Sequence, residues 1–387
     1  SAAPAGLAPA RAASAPEARA GAVSGGSATP VAAAGPGGCD AGETVSAPIA
    51  DDAHLRPPSP PVPPRPAGAL EVPAGTSLQA AIDRAPDGAV LALERGEYPG
   101  GVQIGRPLTL WGPPEAVIRS NGTGHTVEVR SSRVQLLGFS VRGSGSRFEL
   151  TDAAVFVQGD DVEVRGVRIA EALFGIVVER SNRARVAGNE ILGTDVPELG
   201  LRGDGIRLWE VRDSVVEENL VRHSRDLVVW FSPGNLLRGN YAEGGRYGTH
   251  FMYSSRNEVR DNVYVGNLVG VFVMYCDDVE VAGNLMARSE PTGGIGLGLK
   301  EAGNVRVRDN RFVRDQTGIY VDTSPVRRDH ENVVERNAFD FCDAAVVFHR
   351  SELRNRFLEN DFRGCPTPVR VEGGGDATRV EWRGNHF

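Results

Sequence analysis

An asparagine returns at a nearly fixed interval through the second half of the chain, each time followed by two residues rich in apolar types. The copies read "GNEI", "ENLV", "GNYA", "DNVY", "GNLM", "DNRF", "RNAF", "ENDF" and "GNHF", with the asparagines at Asn189, Asn219, Asn240, Asn262, Asn284, Asn310, Asn337, Asn360 and Asn385. Most steps are 21 to 27 residues, and one of 30 accommodates the insertion "TDVPELGLRG". A period of roughly 20 to 50 residues is the mark of a solenoid. Between the asparagines lie short alternating strands such as "IRLWE", "VEVAG" and "IYVDT". Strands with Gly and Asn at their corners exclude helical repeats, and the spacing of leucine-rich repeats is absent. The pattern predicts an all-β chain, a right-handed single-stranded parallel β-helix. Asn219, Asn240, Asn262, Asn284, Asn310, Asn337 and Asn360 would stack as an amide ladder at one corner.

The repeat occupies residues 70–387. Before it, residues 1–69 are mostly Ala, Pro, Gly and Ser and close with "RPPSPPVPPRPAG". That composition offers little large apolar surface to offset the entropy of ordering, so a disordered tail or linker is expected there. At the junction Ser77 is placed to cap a short helix carrying Leu78, Ala81 and Ile82, with "AVLAL" as a strand after it.

A formal net charge of −8 on 387 residues argues against nucleic-acid binding, which calls for a basic excess. No apolar run approaches the roughly 20 residues of a membrane span. The chain starts at Ser1 without a charged-then-apolar segment, as a processed or late-starting chain would. Four cysteines fit no zinc spacing. Cys342 and Cys365 are about one repeat apart, which leaves open a disulfide, suited to an oxidising compartment, or two buried thiols.

Strand side chains alternate between faces, and parallel stacking keeps equivalent positions in columns. Aligning the strands on Gly205, Asp226, Gly248, Gly270, Gly296 and Gly318 sends Ile206, Leu208, Leu227, Val229, Val271, Val273, Ile319 and Val321 to one face, the core. The other face carries one column of Trp209, Trp230, Met252, Met274, Lys300 and Asp322. A second runs Arg207, Val228, His250, Phe272, Gly298 and Tyr320. The chain has three methionines and one lysine, and two of those methionines and the lysine fall in the first column. Each of the two methionines is followed by a tyrosine. An apolar, polarizable outer patch marks an interaction site. His250, Met252, Met274 and, if its strand continues, Cys276 would place thioether, imidazole and thiol groups together, the soft donors that favour Cu(I). Simple packing under a partner or a loop accounts for the same residues.

Many parallel β-helices are polysaccharide lyases, hydrolases or epimerases, so an enzyme is the alternative. Such chemistry needs two carboxylates across a groove, or a base beside a neutralising cation. Asp160-Asp161 and Asp277-Asp278 read as turn residues, and Lys300 with Asp322 reads as an ion pair. No acidic cluster, phosphate loop or Ser-His-Asp arrangement emerges, and we expect no catalytic residues.

The runs "GDGIRLWE", "RYGTHFMYS", "NLVGVFVMYC", "GIGLGLKEAGNVRVRDNRF" and "GIYVDTSP" resemble successive coils of the NosD family, the periplasmic maturation proteins of nitrous oxide reductase. The resemblance covers roughly residues 70–387; its HFMY and GLGLK runs are specific, whereas the Asn corner is shared widely among carbohydrate-binding and sugar-hydrolase β-helices. It implies a periplasmic, non-catalytic accessory protein for copper-site assembly. The partners implied are the membrane and ATPase subunits of an ABC transporter, a copper chaperone lipoprotein and nitrous oxide reductase. No cofactor would be held permanently, with copper only in transit. Trp209, Trp230, Phe272, Lys300 and Asp322 then form the expected docking surface, and His250, Met252, Met274 and Cys276 the expected Cu(I) contacts. The Ala/Pro-rich tail departs from the family pattern. So does the end at "RGNHF", where the family continues into an aromatic and acidic segment; a transporter contact carried there would lie beyond this chain.

Overall fold

Three parallel sheets wind around one apolar core in the computed structural model, which describes residues 55–194, 196–289, 293–351 and 353–387. Sheet A has 14 strands, from Leu70–Val72 to Glu381–Arg383; sheet B has 12, from Gly96–Pro99 to Asp361–Arg363; sheet C has 12, from Val102–Ile104 to Thr367–Glu372. Each coil visits the sheets in the order A, B, C, as in Glu258–Arg260, Val263–Val265 and Val269–Met274. Every ladder is parallel and pairs a strand with its equivalent one coil away. This is the right-handed parallel β-helix that the asparagine period predicts. Among the described residues no helix is long and apolar enough to cross a membrane.

The asparagine ladder stands at the corner from sheet A to sheet B. From Asn189 through Asn360, each Nδ2 donates to the Oδ1 of the next coil's asparagine at 2.8–3.0 Å. The second Nδ2 proton goes to a main-chain carbonyl of the preceding coil at 2.8–3.1 Å. These side chains therefore satisfy buried backbone groups that a turn leaves without ladder partners. At the other end Ser77 accepts from Ala80 N at 3.2 Å and caps helix Leu78–Arg84, which buries Leu78 and Ile82. Cys342 and Cys365 occupy the equivalent corner after sheet B on successive coils, and both are free thiols.

The expected linker needs a correction at its downstream end. Residues 1–54 lie outside the described residues, but 55–66 run extended along the outside of the helix. Leu55 packs on Leu220, Tyr241 and Val265, and Arg56 forms a two-pronged ion pair with Glu243 at 2.7–3.1 Å. Farther along, Trp111 Nε1 donates to Pro63 O at 2.9 Å. The proline strap fits because corner glycines leave room for it. A Cβ on Gly166, which has φ +68°, would stand 2.4 Å from Pro63 Cδ. Prolines lack the N–H that an extended segment without ladder partners would otherwise leave unpaired.

Candidate functional site

The outer face of sheet C is covered at its first coils and open farther on. Phe156, Phe174 and Val177 are buried there, and Phe148 leans over them with its ring 5.1 Å from that of Phe174. From Trp209 onward Trp209, Trp230, Met252, Met274, Lys300 and Asp322 are partly exposed, while Val228 and His250 beside them stay buried.

Register pairs place Trp209, Trp230, Met252, Met274, Lys300 and Asp322 in one column, each opposite the next. Arg207, Val228, His250, Phe272, Gly298 and Tyr320 form the column beside it. The inward set, Ile206 through Val321, is at most 1% exposed. Both columns follow from alternation over the later residues of each strand; Tyr247, at the start of its strand where the register to the preceding coil shifts, departs from it and stands beside His250.

His250 is the centre of this surface. Its Nε2 lies 3.2 Å from Met274 Sδ on the next coil, and Trp230 Nε1 donates to its Nδ1 at 3.4 Å. Tyr247 and Phe272 wall the ring at centroid distances of 4.6 and 6.2 Å. The Phe272 ring in turn occupies space left by Gly298, where a Cβ would come within 2.4 Å of it. Burial pulls the His250 pKa down to about 4, so the imidazole stays neutral and keeps a nitrogen lone pair at neutral pH.

Cys276 does not join them. Tyr275 takes φ +55° and ends the alternation of its strand, so Cys276 turns inward and is 1% exposed within the core. Its sulfur donates to Met274 O at 3.0 Å and accepts from Ser254 N at 3.1 Å. It continues an inward stack in which Val211 N donates to Ser232 Oγ and Ser232 N to Ser254 Oγ. Burial pushes its thiol pKa up to about 12. The expectation of an outward thiol ligand is thereby corrected: a protonated sulfur inside the core cannot reach the outer face.

Two features escaped the sequence reading. Phe231, Tyr253 and Tyr275 directly follow Trp230, Met252 and Met274 and build an aromatic ridge along the edge of the patch. Their rings stack at 5.4 and 5.0 Å, Trp209 meets Phe231 edge-on at 5.1 Å, and Phe231 and Tyr253 are 40% and 51% exposed. The signal was present in the doubled pairs "WF", "MY", "MY". The second feature is a knot of charges at the upper end. Arg225 pairs with Asp204 at 2.8 Å and Arg246 pairs with Asp226, while the Arg207 guanidinium lies 5.0 and 5.4 Å from the rings of Trp209 and Trp230. At the lower end Lys300 is 3.9 Å from Asp322, as expected for an ion pair. His349 Nδ1, which the sequence reading did not single out, is the nearer partner of Asp322 at 3.1 Å.

Chemically, the face offers a neutral imidazole and two thioethers at paired positions of adjacent strands, beside aromatic rings. Bond lengths from a metal of about 2.0 Å to nitrogen and 2.3 Å to sulfur let His250 Nε2 and Met274 Sδ, 3.2 Å apart, reach a single ion. Such soft and borderline donors suit Cu(I). Among the described residues no group of three or more His, Cys, Asp or Glu side chains is arranged to hold a metal ion, so a hard-cation centre finds no support there.

The fold is thus a parallel β-helix that carries sulfur, imidazole and aromatic side chains on the outer face of one sheet. Residues 193–386, half of the chain, match the family of the periplasmic copper-binding protein NosD. The chain belongs to that family. A curated protein of Pseudomonas aeruginosa named a probable ABC transporter binding protein NosD is 32% identical over 137 residues, which is 35% of this chain and 32% of that protein. Its counterpart in Stutzerimonas stutzeri is 33% identical over 136 residues, 35% of this chain and 31% of that protein. The matched segment thus spans about a third of the length of these curated relatives. Solved structures with the same fold include the catalytic unit of a thermostable GH87 alpha-1,3-glucanase from Streptomyces thermodiastaticus, with a TM-score of 0.68, 18% identity and 84% and 70% of the two chains covered. Another is the A-module of a mannuronan C-5 epimerase from Azotobacter vinelandii, with a TM-score of 0.52, 15% identity and 80% and 93% covered. At such identities the likeness speaks for the fold alone.

Proposed function

We propose that this chain is a periplasmic accessory protein for copper-site assembly in nitrous oxide reductase, serving as a docking platform that holds Cu(I) in transit. The observation that carries this reading is the meeting of His250 Nε2 and Met274 Sδ at 3.2 Å on an open face, with Met252 stacked on Met274. Membership of a family described as periplasmic and copper-binding supports it. The names of the curated relatives support an ABC transporter as a partner, with its membrane and ATPase subunits as the contacts of this proposal. A copper chaperone lipoprotein would supply the metal and the reductase would receive it.

A transit site should bind without enclosing its cargo. His250, Met252 and Met274 supply at most three donors from two adjacent strands and leave a coordination position for the donor or acceptor protein. The aromatic ridge beside them gives that protein an apolar edge to seat against, since aromatic side chains dominate interface energetics. On this reading the face does no covalent chemistry. Asp204 and Asp226 are engaged by arginines and Asp322 by His349 and Lys300, so these three carboxylates are read as ion-pair partners.

The experiment is a reconstituted copper-loading assay of the reductase with chaperone, transporter and this chain. Changing Trp209 and Tyr253 to serine should abolish chaperone capture and slow loading by about tenfold or more. Unimpaired capture and loading would remove the docking face. Polysaccharide turnover by the same preparation, with release of reducing ends or unsaturated products, would instead favour an enzyme.

A further inference from the structure

The indole of Trp230 and the imidazole of His250 stand edge to face, their ring centroids 5.4 Å apart at 87°. An indole N–H only donates, so at 3.4 Å from Trp230 Nε1 the Nδ1 of His250 is the acceptor. A neutral imidazole carries a single N–H, which therefore sits on Nε2 and points at Met274 Sδ, 3.2 Å away. Both bonds belong to one tautomer. In that tautomer the nitrogen nearest the sulfur has no lone pair to give a metal.

Ligation through Nε2 needs the other tautomer. The ring proton must then sit on Nδ1, where it would face the indole N–H donor to donor across 3.4 Å. Two donors without an acceptor between them repel, so one group has to turn. His250 is 5% exposed and hemmed in by Tyr247 and Phe272, whereas Trp230 is only partly buried on the outer face. The indole, packed on Trp209 and Arg207 but less buried than the imidazole, is the group with more room to turn.

We infer that Trp230 is a latch on the copper site: its N–H holds His250 in the tautomer that cannot ligate, and it swings away when the site loads. This inference rests on the reading of His250 and Met274 as Cu(I) contacts. The proton balance closes within the ring, because the proton leaving Nε2 is replaced by one on Nδ1 and no acid or base is consumed. The latch sets specificity as well as affinity: a ligand that brings no bond to Nε2 leaves the Trp230–His250 bond intact. Trp230 touches no cargo and acts through His250, which makes it a positioning residue.

The test is Cu(I) binding by the full chain in competition with a colorimetric Cu(I) chelator, comparing wild type with Trp230→Phe. Phenylalanine keeps an aromatic ring in the column and removes the N–H. The variant should bind about fivefold tighter, the equivalent of one ordinary hydrogen bond no longer broken on loading. A second readout needs no variant for its signal: in isotope-labelled wild type with its four tryptophans, one indole N–H resonance should shift and exchange faster with water as Cu(I) is added. That resonance is absent from Trp230→Phe, which assigns it. Equal or weaker binding by the variant, or an unmoved Trp230 indole signal in a protein that does bind Cu(I), overturns the latch and leaves the copper reading standing. Absence of Cu(I) binding by both proteins overturns the copper reading and the latch with it.

Discussion

His250 Nε2 and Met274 Sδ come from strands one coil apart and meet at 3.2 Å. Neither residue is near the other in sequence; the stacking of "YGTHFM" on "VGVFVM" brings them together. The site is thus a product of coil register, and small disturbances of register should matter more to it than loss of any surface charge.

Cys276 lies two residues beyond Met274 yet should be irrelevant to copper. Serine already occupies the equivalent places at 232 and 254, so Cys276→Ser fits the inward stack and should change stability by less than about 1 kcal/mol. Cu(I) affinity should be unchanged in the same variant. A large loss of affinity would put the thiol back among the ligands.

Asn262 should be far more costly to replace. It is fully buried, donates to Leu237 O and Asn284 Oδ1, and accepts from Asn240 N and Nδ2. Asn262→Ala leaves several of these groups without partners inside the wall, a loss of roughly 2–5 kcal/mol. Urea unfolding followed by circular dichroism measures it, and a change below about 1 kcal/mol would mean the ladder is ornamental.

A pH dependence follows from the burial of His250. Its folded pKa of about 4 lies below the usual 6.5, so between these values the unfolded chain holds a proton that the folded one does not. The stability contributed is full above pH 6.5 and is lost as pH falls through 4, by up to about 3 kcal/mol. Asp204, raised to about 6 by burial, acts in the opposite sense, losing stability as pH rises from about 4 to 6. The comparison is therefore with His250→Gln, whose urea midpoint should fall less than that of wild type between pH 7 and pH 4.5. Parallel falls would show that His250 is not held neutral.

The strap offers a separate test. The Arg56–Glu243 pair is partly exposed, with side chains 39% and 23% accessible, so Arg56→Ala should cost only about 0.5–1 kcal/mol. A chain beginning at residue 67 also uncovers Leu220, Tyr241 and Val265 and should lose more. Hydrogen exchange should rise along strands Leu220–Arg222 and Tyr241–Glu243 while the last coils stay protected. Unchanged exchange would make the strap a passive neighbour.

The sequence was most legible where a period repeated. The asparagine corner returns in each coil from Asn189 to Asn385, and strand alternation alone separates Leu208 from Trp209 and Val273 from Met274. Alternation fails wherever a corner residue turns left-handed, which is how Cys276 came to be read on the wrong face. The serines at 232 and 254 were the available warning. Phe231 and Tyr253 were passed over because they follow the strands rather than belong to them. The strap was hidden by its composition: a proline-rich run looks like a linker unless the glycine corners that receive it are known. His349 beside Asp322 is a contact between coils that no local pattern announces.

Whether the outer thioethers and His250 hold Cu(I) is decided by a titration of the purified chain. Wild type should take up roughly one Cu(I) per chain in competition with a calibrated chelator. With Met252 and Met274 both changed to leucine, which keeps apolar bulk and removes the sulfur donors, affinity should fall by roughly a hundredfold while the unfolding midpoint stays close to that of wild type. Undiminished affinity in the double variant would remove the thioethers as ligands and leave the two methionines as packing.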